Sequence, residues 1–202
     1  MADTQLAGGD VPEPLDDAPT RRRPVLVASV VVAIVAAFLV VVFAVARGGG
    51  NDTADTPLLG RPAPAITGGT LGGGPFDLSA RRGSWVVLNF FASWCDPCKQ
   101  EAPELVRFAA AQSALGPEGA EVVGVVYNDS EDAVRQFLAD YGDGFDHVVL
   151  DSGASAIGYG VVKIPETWII DPDGMVRARV ISAVSAESLT DLLAEARAGA
   201  AP

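Results

Sequence analysis

From Val25 to Ala46 every position is apolar except Ser29. A helix of that length, rising about 1.5 Å per residue, reaches roughly 33 Å and matches a bilayer core. Val and Ile are modest helix formers in water, but in lipid the backbone has no other partner, so the helix wins. Beyond Gly60 the pattern changes to short apolar runs alternating with helical spacing. Trp85–Phe91 is a nearly continuous apolar run, suited to a strand covered on both faces. From Pro97 to about Leu115 the apolar positions Ala102, Leu105, Val106 and Ala109 recur at helical spacing.

The alternation continues to the end. Glu121–Tyr127 predicts a second buried strand. Asp129-Ser130-Glu131-Asp132 starts a helix carrying Val134, Phe137, Leu138 and Tyr141. His147–Leu150 reads as a short strand, Ala154–Tyr159 as a short helix and Glu166–Ile170 as another strand. Asp171-Pro172-Asp173-Gly174 is a turn signal before a strand from Met175 to about Ile181. Ser185–Ala198 closes the chain as an amphipathic helix, and the Gly-rich stretch Ala63–Leu78 reads as a small hairpin. Such an order implies an α/β fold with a mixed sheet.

Composition sharpens this picture. The chain has 202 residues with 26 acidic against 14 basic side chains, a formal charge of −12. That balance argues against a nucleic-acid partner, which needs a basic footprint to neutralise phosphates. Apolar residues reach 49 % and charged ones only 20 %. An acidic soluble domain alone would not give those figures, so a membrane segment is expected. Residues 1–24 combine five acids with Pro and Gly and no aromatic residue, and read as a disordered cytoplasmic tail. Residues 25–46 read as a transmembrane helix, 47–59 as a flexible linker and 60–202 as an extracytoplasmic domain. Arg21, Arg22 and Arg23 precede the apolar run and Arg47 follows it, so the positive-inside rule puts the N-terminus in the cytoplasm. A cleaved signal peptide is the competing reading, since Ala44-Val45-Ala46 fits a small-x-small cleavage pattern.

Two cysteines exclude a disulfide scaffold and a zinc site built on three or four cysteines. They stand as Trp94-Cys95-Asp96-Pro97-Cys98, where the first central strand gives way to the long helix. The spacing puts both sulfurs within bridging range across one turn, and Pro97 is tolerated in a first turn. Free backbone N–H groups and the helix dipole favour a thiolate at Cys95. Cys98 lies one turn inside and is expected to be shielded. Cys95 would then attack a disulfide and Cys98 would resolve the mixed disulfide. An inert disulfide closing so short a loop constrains the unfolded chain little. Half of a metal site would need further ligands, and His147 is the single histidine.

The stretch Asn89-Phe90-Phe91-Ala92-Ser93-Trp94-Cys95-Asp96-Pro97-Cys98-Lys99-Gln100-Glu101 resembles the active site of the thioredoxin superfamily, within it the membrane-anchored ResA/TlpA/CcmG (DsbE) branch. Tyr159-Gly160-Val161-Val162-Lys163-Ile164-Pro165-Glu166-Thr167-Trp168 resembles the second motif of that branch. The resemblance implies a thioredoxin-like fold over most of Gly60–Ala198, with an N-terminal hairpin extension and a βα insertion. It implies a cis Ile164–Pro165 peptide beside the sulfurs, leaving the Ile164 backbone free for a substrate strand. It assigns Glu101 a proton-transfer role, the position that titrates in ordinary thioredoxins being Asn89 here, and brings Glu166 near the site. Trp94, Asp96, Pro97 and Lys163 would line it. Lys163 stands where CcmG-like sequences commonly carry Gly. A nearby ammonium there would stabilise a thiolate, and Asp96 would act in the opposite sense.

The function so implied is a membrane-tethered, extracytoplasmic disulfide reductase with no cofactor or metal beyond its own Cys95–Cys98 pair. Its partners would be protein disulfides, including the oxidised Cys-x-x-Cys-His of apocytochrome c, and a membrane electron donor of the CcdA or DsbD type. A general disulfide reductase or oxidant of secreted proteins is the nearest alternative. A thiol peroxidase would want a Pro-x-x-x-Thr-x-x-Cys setting, which is absent before Cys95. A copper-delivery module would use Cys95, Cys98 and His147. On this reading a reporter fused after Pro202 is active only outside the cytoplasm; cytoplasmic activity would sink both the topology and the redox assignment. A mature protein beginning at Arg47 would show that the apolar run is a cleaved signal.

Overall fold

The computed structural model describes residues 23–47 and 53–200. The tail read at residues 1–22, the start of the linker at 48–52 and the last two residues lie outside the described residues. Helix α1 (Arg23–Arg47) brackets the apolar run read at 25–46. Its side chains are described over residues 27–39 and are exposed. Among the described residues no helix is long and apolar enough to cross a membrane.

Residues 53–200 form a separate unit around one seven-stranded sheet. Its strands are β1 (Thr67–Thr70), β2 (Pro75–Asp77), β3 (Val86–Phe91), β4 (Glu121–Val126), β5 (His147–Leu150), β6 (Glu166–Ile170) and β7 (Val176–Val180). Their spatial order is β2-β1-β5-β4-β3-β6-β7. β3, β4 and β5 are parallel, and β6, β7, β1 and β2 add antiparallel to one edge or the other. The helices are α2 (Asp96–Ser113), α3 (Glu131–Tyr141), α4 (Ala154–Tyr159) and α5 (Ala186–Ala200). This is the mixed α/β architecture read from the alternation: β5, α4 and β6 keep the ends read for them, and the other strands and helices from β3 onward shift by at most two residues. The β1–β2 hairpin extends the sheet beyond β5, and β5 with α4 is the βα insertion between α3 and β6.

β3 contributes to both hydrophobic layers of the core. All six of its residues are buried, because it has a strand on either side and a layer on either face. Its period of two sends Val87, Asn89 and Phe91 to one face and Val86, Leu88 and Phe90 to the other. Val87 joins Leu105 and Phe108 of α2, Ile169 of β6 and Leu189, Leu192 and Leu193 of α5. Phe91 stacks on Phe145 and lies against Phe137 of α3. On the opposite face Phe90, Tyr159 and Trp168 form a chain of ring contacts 5.4 and 5.0 Å apart.

The segment read as a flexible linker differs from that reading at its C-terminal end. Thr53 bridges to Val180, and the Ala54 N–H donates to the Arg179 carbonyl at 3.0 Å. Further on, the Gly60 N–H donates to the Val176 carbonyl and the Val176 N–H to the Arg61 carbonyl. The chain therefore lies along the outer edge of β7 and satisfies backbone groups that a bare edge strand would leave open. Its composition is polar and loop-like, which is why it read as tether; the pairing is supplied by the edge of the sheet.

Gly144 holds the chain entering β5 against the backbone of α2. A Cβ at that position would stand 2.7 Å from both the Leu105 carbonyl carbon and the Val106 nitrogen. Neither can give way without moving the helix that carries the cysteines. Gly144→Ala is therefore expected to lower the unfolding free energy by roughly 1–3 kcal/mol, the usual cost of overpacking. Chemical denaturation with both cysteines oxidised measures it; an unchanged midpoint would mean that the approach is looser than this packing implies.

Candidate active site

The site forms where β3, buried throughout, hands over to α2. Cys95 is the N-cap of α2, with extended backbone at φ −87° and ψ 109°. Its sulfur accepts a hydrogen bond from the Cys98 N–H at 3.2 Å, the bond an N-cap oxygen ordinarily takes. Cys95 and Cys98 are joined as a disulfide, and Pro97 sits in the first turn of the helix, where its missing N–H costs nothing. Cys95 is 5 % exposed and Cys98 1 %. Both sulfurs are thus largely covered, with the N-terminal one nearer to solvent. Once the disulfide opens, the same N–H groups and the positive end of the helix face the Cys95 sulfur and favour its thiolate.

Glu101 lies one turn beyond Cys98 and is 2 % exposed. One carboxylate oxygen accepts from Asn89 Nδ2 at 2.9 Å and the other from the Val184 N–H at 3.0 Å. Burial pushes its carboxyl up to about 7, and these two hydrogen bonds hold it back only in part. Asn89 reaches α2 because the alternation of β3 turns it to the helix face. Its amide also donates to Thr167 Oγ1 at 3.0 Å, while its Oδ1 is buried without a partner among the described residues.

Glu166, expected near the site, is fully buried and committed to another charge. Arg179 of β7 meets it with Nε at 2.9 Å and Nη2 at 3.1 Å. The guanidinium also lies 5.0 Å over the Trp168 ring. Burial raises the Glu166 carboxyl, against the Arg179 guanidinium. Glu166 is thus held by Arg179 at the head of β6, and Arg179 is a partner that the sequence reading did not name. Its only sequence signal was its place in a β6–β7 hairpin, across from Trp168.

The Ile164–Pro165 peptide is cis. Ile164 is 8 % exposed, and its backbone has no hydrogen bond among the described residues. Lys163 is exposed and makes no ion pair among the described residues. Asp96 is exposed and takes its own cation, Lys99 Nζ at 2.7 Å, which holds its carboxyl below the usual range. Asp96 and Lys163 were read as opposing influences on the thiolate; Asp96 is instead matched by Lys99. Trp94 is 54 % exposed beside the disulfide, and its indole N–H donates to the Asn128 carbonyl at 3.2 Å. His147 opens β5 with its ring 5.4 Å from Phe76, and no group of three metal-ligating side chains occurs among the described residues.

The AhpC/TSA family model matches residues 59–179. The chain is similar to the thiol:disulfide interchange protein HelX of Rhodobacter capsulatus, at 33 % identity over 149 residues, 72 % of this chain and 81 % of that one. It is 34 % identical over 131 residues to the thiol-disulfide oxidoreductase ResA of Bacillus subtilis, covering 64 % of this chain and 70 % of the relative. Among solved structures it resembles a secreted Mycobacterium tuberculosis disulfide oxidoreductase homologous to Escherichia coli DsbE. The TM-score there is 0.57 at 29 % identity, over 64 % of this chain and 95 % of the other.

The raised carboxyl of Glu101 has a testable pH signature. The folded protein keeps this proton up to about pH 7, whereas an unfolded glutamate loses it near 4.3. Between those values the native state binds more protons, so Glu101 makes stability fall as pH rises through that window. Glu101→Gln is expected to remove that fall, and to gain most over the parent above pH 7. The limb of the disulfide-exchange pH–rate profile centred near pH 7 should vanish too, with a rate loss of roughly 10²-fold or less. Parallel pH dependences in the two proteins would return Glu101 to a purely structural role.

Proposed function

The chain belongs to the AhpC/TSA family and is a thiol-disulfide oxidoreductase of the ResA/DsbE type, and from that premise we propose that it is a membrane-tethered disulfide reductase working outside the cytoplasm. The observation that carries the reading is the Cys95 sulfur capping α2, with a buried Glu101 one turn past Cys98 whose carboxyl is raised to about 7 and so can take up and release a proton near neutral pH. A Cys95 thiolate attacks one sulfur of a substrate disulfide, forming a mixed disulfide and releasing the other substrate sulfur as a thiolate. Glu101 takes the Cys98 proton, and the Cys98 thiolate attacks the Cys95 sulfur. The Cys95–Cys98 bond forms, the second substrate sulfur leaves, and two electrons have passed to the substrate. The disulfide present in the structure is the state reached at the end of that sequence. A membrane dithiol of the CcdA or DsbD type would return it to the dithiol.

Several features support the finer reading. The apolar run 25–46 has the length of a bilayer span, with basic residues before it. The cis Ile164–Pro165 segment offers an unpaired backbone suited to pairing with an extended peptide, and the resemblance implies that it lies beside the sulfurs. The resemblance to the ResA/TlpA/CcmG branch points to the oxidised Cys-x-x-Cys-His of apocytochrome c as substrate. A peroxidase reading, which the family description invites, lacks its residues. The Pro and Thr positions ahead of the cysteine are Leu88 and Ala92, both apolar and buried. A copper module would need His147 beside the sulfurs, and His147 packs on Phe76 instead.

Trapping discriminates the roles of the two sulfurs. Cys98→Ser, incubated with an oxidised peptide carrying Cys-x-x-Cys-His, is expected to accumulate a mixed disulfide through Cys95, and Cys95→Ser far less. Equal trapping by the two variants would overturn the assignment of Cys95 as attacking sulfur. Equal trapping of that peptide and of unrelated secreted disulfides would favour a general reductase over one devoted to cytochrome c.

A further inference from the structure

The loop between β4 and α3 is bound to the residues just ahead of the nucleophile. β3 ends at Phe91, and only Ala92, Ser93 and Trp94 separate it from Cys95. Asp129 Oδ2 accepts the Ser93 N–H at 2.6 Å, a short bond to an ionised acceptor. The neighbouring Asn128 carbonyl accepts the Trp94 indole N–H at 3.2 Å. Two consecutive residues of one loop thus hold two consecutive residues of the other. Asn128 reaches this position with φ at +48°, the left-handed region that non-glycine residues seldom enter. Asp129 is fixed in turn, since its other oxygen accepts from Ser130 N–H at 2.7 Å and the Ser130 side chain caps α3 at Ala133.

We propose that Asp129 is a positioning residue for thiol–disulfide exchange: with the Asn128 carbonyl it holds Ser93 and Trp94 so that the Trp94 ring and the Cys95 sulfur are presented together to the incoming disulfide. The need for such a hold follows from exposure. Cys95 is 5 % exposed and Trp94 54 %, so an incoming sulfur meets the Trp94 ring on its way to a nearly covered target. The helix fixes Cys95 from its C-terminal side through the Cys98 N–H. On its N-terminal side the Cys95 N–H turns back to the Ala92 carbonyl at 3.2 Å, within the segment that Asp129 holds. The Trp94 ring, 6.4 Å from that of Tyr127, has little else to fix its angle. Asp129 touches neither sulfur; it acts through the loop. The inference rests on Cys95 being the attacking sulfur.

The test uses the full chain with Asp129→Ala, Asp129→Asn and Asp129→Ser, each alone and combined with Cys98→Ser. The Ala and Ser variants leave the Ser93 N–H without an acceptor in reach, whereas Asn keeps an oxygen there. In the Cys98→Ser background, mixed-disulfide formation with an oxidised Cys-x-x-Cys peptide is expected to slow about tenfold for Ala and Ser, the scale of one lost hydrogen bond to a charged acceptor. The Asn variant is expected to stay within about threefold of the parent. With both cysteines present, the change in Trp94 emission between oxidised and reduced protein, read against a Trp94→Phe chain, should shrink for Ala and Ser and persist for Asn. The Ser variant, small and polar, carries the measurement if Ala does not fold. Parent-like rates and emission in all three would overturn the clamp. So would equal slowing in Asn and Ala, which would point to charge and not to the held loop. Failure of the Cys98→Ser parent to trap would instead strike the assignment of Cys95, and the emission measurement would still decide the clamp.

Discussion

The junction of β3 with α2 is the constraint on which the rest depends. A strand buried at all six positions gives way, across only Ala92, Ser93 and Trp94, to a helix whose first N–H groups have no partner within it. The Cys95 sulfur accepts one of them, so the atom that caps the helix also carries the chemistry. Burial keeps the sulfur out of water, and the helix end supplies the positive field that makes it a good thiolate. Everything around the junction either holds it in place or handles the protons that its chemistry moves.

Proton handling is arranged through burial. An ionised Glu101 in this setting is disfavoured by roughly 3 kcal/mol relative to water, from a carboxyl raised to about 7. That figure is what remains after the hydrogen bonds from Asn89 and the Val184 N–H have lowered the cost of burial. A carboxyl that neither ionises fully nor stays fully protonated near neutral pH suits transfer to and from a shielded thiol. Glu166 shows the contrast. It is as buried as Glu101, yet Arg179 is bound to it by two nitrogens.

Most of the fold was legible because its signals are local. The apolar run of β3, the helical spacing of α2, the Ser130 start of α3 and the Asp171–Gly174 turn each lie within a few residues of sequence. The edges were less legible. Residues 53–59 read as tether because nothing in their composition announces pairing, and only the open edge of β7 gives them a partner. Asp129 was read within the cap of a helix, and Ser130 does that capping; the Ser93 N–H that Asp129 accepts lies 36 residues away.

By itself the sequence determined the alternation of strands and helices, the Cys-x-x-Cys spacing at a strand–helix junction and Glu101 one turn on, because periodicity and spacing are properties of neighbouring residues. The tertiary structure decided what each charge and donor meets. Asn89 and Glu101 are 12 residues apart, Glu166 and Arg179 13, and Val184 and Glu101 83. No local pattern encodes such pairings. They exist because β3 sits in the interior of the sheet with α2 against one face, which brings separate stretches of chain within hydrogen-bond distance where water is excluded and an unpaired polar group is costly.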